Sequence, residues 1–295
     1  MFPRLRLLLL CCGIPALIGL AVTAIVGMLV EGSANYEIQF KAAIDGRALT
    51  CGHPIDGIGE AKISVALVDF RFAVSNVELI RYDGKIFPLT LEQDGIWQVG
   101  KVAKLDLEDA SGTCAQGTPV TRREVRGTAP KGNYRGVRFD LGGSDGVTVT
   151  HPAIAPRSDA GLMQSEVGGH HHATRIELAT AVAGEGAAPP TGQAARIVFR
   201  ILRHACLPDA DSGAQCSADG AIQVTLNDVQ PNRHVIVAEV GGMISESVLG
   251  QDSATPVCEP TSVDSTCVEA LQRLGFASGG KTGRPHLFFF AQARR

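Results

Sequence analysis

The chain has 295 residues, enough for one large domain or two ordinary ones, and a formal net charge of −3 at pH 7. With no basic block, one Trp and three Tyr, it lacks the cationic and aromatic surface that nucleic-acid binding requires. Its 34 Gly and 15 Pro, with only 5% aromatic residues, predict many short strands and turns.

The chain opens with Arg4 and Arg6, then an uncharged and largely apolar run from Leu7 to Val30, and polar sequence resumes at Glu31. Positive charge before such a run marks an export signal. The run is also long enough to span a bilayer. Ala21, Thr23 and Ala24 are small but form no clear A-x-A cleavage site, and the residue before Cys11 is not the small one a lipoprotein signal needs. An uncleaved anchor is therefore favoured over a cleaved signal peptide. Residues 1–31 are expected to be a signal peptide or membrane anchor. Residues 32–295 are expected to form a single exported domain, periplasmic, and tethered to the inner membrane by residues 7–30 if the leader stays.

Strand patterning dominates the exported part. "YEIQFKAAI" (Tyr36–Ile44) alternates, with Tyr36, Ile38 and Phe40 on one face. "KISVALVDFRFAVSNVELIRYDGKIFPLTL" (Lys62–Leu91) predicts two or three strands, with Asp83-Gly84 as a hairpin turn. "GIWQVGKVAKLDLED" follows the turn signal Gln93-Asp94-Gly95, and "NYRGVRFDLGG" places Tyr134, Val137, Phe139 and Leu141 near period two. "HATRIELATAV" and "ARIVFRILR" repeat the alternation. "AIQVTLNDV" and "HVIVAEV" predict another hairpin around Gln230-Pro231-Asn232-Arg233, and "PHLFFFAQ" a buried closing strand. Helix is scarce: "CVEALQRLG" (Cys267–Gly275) has apolar residues at helical spacing before a glycine cap, and "GGMISESVLG" is a second short candidate. The expected fold is all-β: an antiparallel β-sandwich with long disulfide-stapled loops and one or two short helices.

Outside the leader stand six cysteines: Cys51, Cys114, Cys206, Cys216, Cys258 and Cys267. An even count in an exported chain reads as disulfides. The last four, C-x9-C-x41-C-x8-C, lack the tight C-x2-C knuckles of zinc sites. Many pairings are open to six cysteines; the expectation adopted is Cys51–Cys114, with Cys206–Cys216 and Cys258–Cys267 as local staples.

No G-x-S-x-G, H-E-x-x-H or phosphate-binding glycine loop is present, so no hydrolase or nucleotide chemistry is indicated. What remains is histidine. All eight lie in the exported part, and imidazole suits copper or zinc where thiolates are lost to disulfides. In "GGHHHATRIEL", a strand would put His170 and His172 on one face and His171 on the other; the plain alternative is a solvated edge. His53 follows Cys51 in "CGHPIDGIG", where a disulfide would hold its loop. His151 begins "HPAIAP", where Pro152 enforces extended backbone. His204, His234 and His286 lie at strand ends, and Trp97 reads most simply as a core anchor.

The ordered stretches "FKAAIDGRALTCG", "VDFRFAVSNVELIRYDG", "WQVGKVAKLDLED…GTC…GT", "VRGTAPKGNYRGVRFDLG", "HPAIAP" and the four-Cys tail ending "CVEALQRLGF" together resemble a known family. It comprises the periplasmic copper-binding partner proteins of methanobactin operons, also called metallo-mystery pair four-Cys motif proteins. The resemblance spans about residues 36–292. It implies copper binding and a diheme cytochrome-c-peroxidase-like partner. It also implies, in some members, a tryptophan oxidised by that partner, for which Trp97 is the one candidate here. Family members carry an aromatic-rich stretch after "HPAIAP", whereas this chain has "LMQSEVGGHHHATRIEL". The histidines thus become a candidate lineage-specific metal site.

The expected protein is a copper-binding one, with zinc as the second metal its ligands would accept, and not an enzyme in its own right. Its expected ligands are His53, His151, His170 and His172, with His171 and His204 behind them. The competing expectation is a metal-independent cell-surface sandwich that binds a protein or glycan, marked by an exposed apolar patch away from every histidine.

Overall fold

The computed structural model describes residues 32–59, 62–115, 117–142, 172–181, 195–202, 206–207, 215–216, 222–244, 257–258, 268–269, 272–273 and 288–294. The leader, His151, His170, His171, His204, His286 and Cys267 lie outside them. No helix among the described residues is long and apolar enough to cross a membrane.

The first strand, β1 (Ser33–Ile44), follows its alternation, burying Ile38, Phe40, Ala42 and Ile44. Asp45-Gly46, both at positive φ, turns it back into β2 (Arg47–Ala48). β3 (Ile55–Ile58) precedes β4 (Ile63–Arg81), a strand of 19 residues that is the first of three within Lys62–Leu91, where two or three were expected. No Gly or Pro interrupts that stretch, and β-branched and aromatic residues fill it. Register slips near Val68 and at Asn76 (φ 50°) reset its phase, so Leu67, Phe70, Phe72, Val74, Val77 and Leu79 all reach the core. The Asp83-Gly84 turn then forms as expected, leading to β5 (Ile86–Pro88).

Short strands follow: β6 (Thr90–Leu91), β7 (Gln98–Val99) and β8 (Val102–Asp106). Longer ones come next: β9 (Glu124–Pro130), β10 (Tyr134–Leu141), β11 (His172–Ala181) and β12 (Ala195–Leu202). The remainder are β13 (Cys206–Leu207), β14 (Gln215–Cys216), β15 (Ile222–Asn227), β16 (His234–Glu239), β17 (Val257–Cys258) and β18 (Phe289–Ala293).

Two sheets face each other. The smaller runs β18-β16-β1-β9-β6, with β2 on the end of β1. The larger runs β15-β10-β4-β11-β12-β17, with β3, β5 and β8 along the other edge of β4 and β7 on β8. Pairing is antiparallel except for β1 with β16 and β12 with β17. Between the sheets lies an aromatic cluster. Phe72 contacts Phe40 at 5.5 Å and Phe289 at 6.0 Å, and Phe139 contacts Phe289 at 5.4 Å, measured between ring centroids.

The hairpin expected between 221–229 and 234–240 does not exist. β15 pairs with β10 in the larger sheet, and β16 lies between β1 and β18 in the smaller, so the 230–233 turn carries the chain across the sandwich. Asn232 Oδ1 accepts from Glu37 N at 2.6 Å, fixing that turn to β1. Of the two short helices expected, the second has a 3₁₀ turn at Gly241–Met243, and its residues 245–250 lie outside the described ones. The first retains helical residues at 268–269 and 272–273.

Candidate functional site

The outer face of β4 is where the sequence pattern departs from an ordinary wet surface. Three strands carry charges two residues apart: Asp69 and Arg71 on β4, Lys104 and Asp106 on β8, and Arg175 and Glu177 on β11. All but Arg175 are buried. The register sets Arg71 opposite both Asp106 and Arg175, and Asp69 opposite Glu177. Like charges directly opposite repel, so the bonds run along strands and on diagonals instead. Asp69 accepts from Arg71 Nε at 2.7 Å and from Arg175 Nε at 2.9 Å, and Arg175 also donates to Glu177 Oε2 at 2.8 Å.

Asp106 and Glu108 complete this cluster. Both are fully buried. Asp106 accepts from Thr118 Oγ1 at 3.2 Å. Burial, then the Glu108 carboxylate beside it, push Asp106 up to about 8, against the pull of Arg71. Burial also raises Glu108, opposed by backbone N–H groups. Thr118 N donates to its Oε1 at 2.7 Å and Ala110 N to its Oε2 at 2.9 Å. Gly117 leaves room for this carboxylate: a Cβ there would stand 1.8 Å from Oε2.

Trp97 sits on the same side. Asp94 Oδ1 accepts from the backbone N–H of Ile96, Trp97 and Gln98 at 2.9, 2.7 and 2.9 Å, an Asx-type turn that fixes the indole-bearing residue. Burial works against the Asp94 anion, yet these three donors and Arg122 hold its carboxyl below the usual range. Trp97 is 7% exposed, with Lys104 Nζ 5.8 Å from the ring centroid. It is buried, as a core anchor would be, but stands outside the main hydrophobic core.

The Cys51–Cys114 disulfide is present and closes a separation of 63 residues. A loop of that length is worth about 4 kcal/mol in chain-entropy terms. Cys114 Sγ and Thr113 Oγ1 both reach the carbonyl of Leu67 on β4, which locates this corner. The exposed His53 extends from it. Its Nδ1 lies 3.0 Å from the Cys51 carbonyl oxygen and 3.4 Å from Thr50 Oγ1; in the tautomer that donates from Nδ1 to the carbonyl, Nε2 carries the lone pair. A carbonyl bonded to the other ring nitrogen in this way is how ligating imidazoles are oriented.

His172 begins β11, with Thr174 opposite Phe72. The Leu67 and Phe72 levels of β4 are five residues apart, roughly 16 Å of strand. The His53 loop and the start of β11 at His172 therefore meet the larger sheet at different levels. His234 is engaged elsewhere, its Nδ1 accepting from Gln230 N at 2.8 Å. Cys206 stands directly opposite Cys216 in the β13–β14 ladder, and Cys258 pairs with Ile201.

The buried charge cluster is the feature that sequence reading missed. Its signal was the charge-apolar-charge triplets "DFR", "KLDLE" and "RIE", which ordinarily mark a solvated sheet face.

A family model described as MbnP matches residues 33–259. No curated protein matches. Among solved structures, MbnP from Methylosinus trichosporium shares the fold with a TM-score of 0.68 at 23% sequence identity, covering 90% of this chain and 100% of that one.

Proposed function

Since the chain belongs to the MbnP family, which is methanobactin-associated, we propose that it is an exported copper-binding protein that acts with a diheme cytochrome-c-peroxidase-like partner in copper acquisition or handling. The observation that carries this reading is the extent of the family match. Residues 33–259 include every candidate ligand, His53, His151, His170, His171, His172 and His204, and also Trp97.

The residues fit the metal. Imidazole nitrogen suits copper, and His53 offers Nε2 from an exposed loop while its Nδ1 is held by a carbonyl. A metal-independent docking module is less well supported, since the exposed large apolar side chains among the described residues are Tyr82, Ile86 and Val120 alone. Trp97 is the residue the partner would oxidise, and the Asp94 turn and the Lys104 ammonium set its surroundings.

The test is a copper titration of the oxidised exported part, residues 32–295, against a competing chelator at pH 7.5 and pH 5.5. Neutral imidazoles bind the metal, so stoichiometric submicromolar binding should weaken as pH falls through about 6.5. Replacing His170 and His172 together should abolish tight binding, and replacing His53 alone measures the contribution of the second level. Weak, superstoichiometric uptake would rule the reading out.

A further inference from the structure

The sulfurs of Cys51 and Cys114 and a carboxylate oxygen of Glu108 lie within 4.8 Å of one another, and all three residues are buried. We propose that reduction of the Cys51–Cys114 disulfide turns these three groups into a zinc-class metal site, closed while the bond is intact and open once it is cut. This goes beyond the copper reading and does not depend on it: that site uses imidazoles in the oxidised chain, this one uses thiolates in the reduced chain.

The donor set argues for the class of ion. Two thiolates with one carboxylate oxygen are a mixed set that zinc accepts, at about 2.3 Å to sulfur and about 2.0–2.2 Å to oxygen. In a tetrahedron of those bond lengths, ligand atoms stand roughly 3.5–3.8 Å apart. The present spacing needs only a small contraction on the oxygen side and separation of the sulfurs, which cutting their bond supplies.

Glu108 is built as a ligand would be. Among the described residues no ion pair reaches it; each oxygen accepts one backbone N–H, from Thr118 and from Ala110, and each keeps a further lone pair. Such outer hydrogen bonds aim a ligating carboxylate. The Cα of Gly117 closes one side, and Gly52 and Gly112 press the two cysteine loops together, with a Cβ on Gly112 only 2.5 Å from Gly52 Cα.

The chemistry balances with a dithiol as reductant. The S–S bond breaks, two electrons and two protons arrive as two S–H groups, and the dithiol leaves as its own disulfide. Metal uptake then releases both thiol protons and sets two thiolates and the Glu108 carboxylate around a divalent ion.

The experiment uses the full chain, oxidised and after anaerobic reduction, titrated with Co²⁺ as the spectroscopic substitute for Zn²⁺. The expected result is a thiolate-to-cobalt charge-transfer band in the reduced chain only, at one equivalent, bleached by Zn²⁺, with the strand circular dichroism retained. C51S/C114S should remove the band, although the other cysteines are also reduced. E108Q, which keeps both thiols, should weaken zinc binding at least tenfold while the reduced chain's strand circular dichroism is compared with the parent's. A band that survives in C51S/C114S, zinc affinity unchanged in E108Q, or loss of the fold on reduction would each overturn the proposal. Copper binding to the oxidised chain is scored separately, so either reading can fail alone.

Discussion

A carboxyl group sealed away from water between other acids ionises at a cost, and Asp106 is such a group. Unfolded, it would ionise near pH 3.9; in the fold it keeps its proton up to about 8, through burial first and the neighbouring Glu108 second. Between those values the folded state binds more protons than the unfolded one, so this residue makes stability fall as pH rises from about 4 to about 8, with no further change above. D106N should remove that slope, its amide taking the place of the protonated acid beside Thr118. At pH 8.5 it should be more stable than the parent by on the order of a few kcal/mol, read from urea midpoints at pH 5 and 8.5. Equal pH slopes in the two proteins would mean that Asp106 ionises normally. Next to it, G117A should cost about 1–3 kcal/mol, as overpacking does, because a methyl would meet the Glu108 carboxylate. Neither residue was legible in the sequence. Cysteine count and compartment indicated disulfides and left many pairings open, of which the expected Cys51–Cys114 is present. Burial of a charge depends on which strands and loops close over it, and no local pattern records that.

At the scale of the element, β4 serves both faces of the larger sheet. Phe70, Phe72 and Val74 point into the sandwich while Asp69 and Arg71 enter the charge cluster. F72A removes the ring that joins Phe40, Phe70 and Phe289, and should cost about 3–5 kcal/mol. The check is a lowered urea midpoint with an unchanged m-value; a loss under 1 kcal/mol would mean the core repacks around the hole. The apolar alternation of β4 was visible in "VALVDFRFAV", but its register slips were not. The slips near Val68 and at Asn76 restore the inward phase, and they are set by the registers of β11 and β10. The misplaced hairpin has a related cause. Gln230–Arg233 has hairpin turn chemistry, yet β16 pairs with β1 and β18 and not with β15, and the Asn232–Glu37 bond ties the turn to β1. Turn residues report a reversal of the chain and say nothing of which sheet receives the next strand.

For the whole molecule, the decisive contact is between the first and last described strands. β1 and β18 flank β16, and Arg294, just past β18, donates to Glu37 of β1 through Nη1 at 3.2 Å. That bond continues into an alternating chain of charges on the outer face of the smaller sheet: Glu37, Arg126, Glu124, Arg122 and Asp94, with contacts from 3.1 to 3.7 Å. Partly solvated pairs of this kind contribute roughly 0–1 kcal/mol each, so they orient the closing strand more than they hold it. Its hold comes from Phe288 and Phe289, each 1% exposed. Phe289 contacts Phe72, Phe139 and Phe288, with centroids 4.6 to 6.0 Å apart. A chain ending at Leu287 would lose both rings, about 3–5 kcal/mol apiece, and would expose the His234–Ala238 edge of β16. The sum is comparable to the whole stability of an ordinary domain, about 5–15 kcal/mol, so the truncated chain should not form a folded monomer. An open β edge beside an unfilled apolar cavity should also drive it into aggregates. F289A separates the two effects: it forfeits one ring but keeps the strand, and should stay monomeric with a lowered midpoint. If the chain ending at Leu287 elutes as a monomer with the parent's circular dichroism, β18 is an ornament on a sandwich that closes without it. The strand ladder would then have to be sufficient on the strength of β1, β9 and β16 alone.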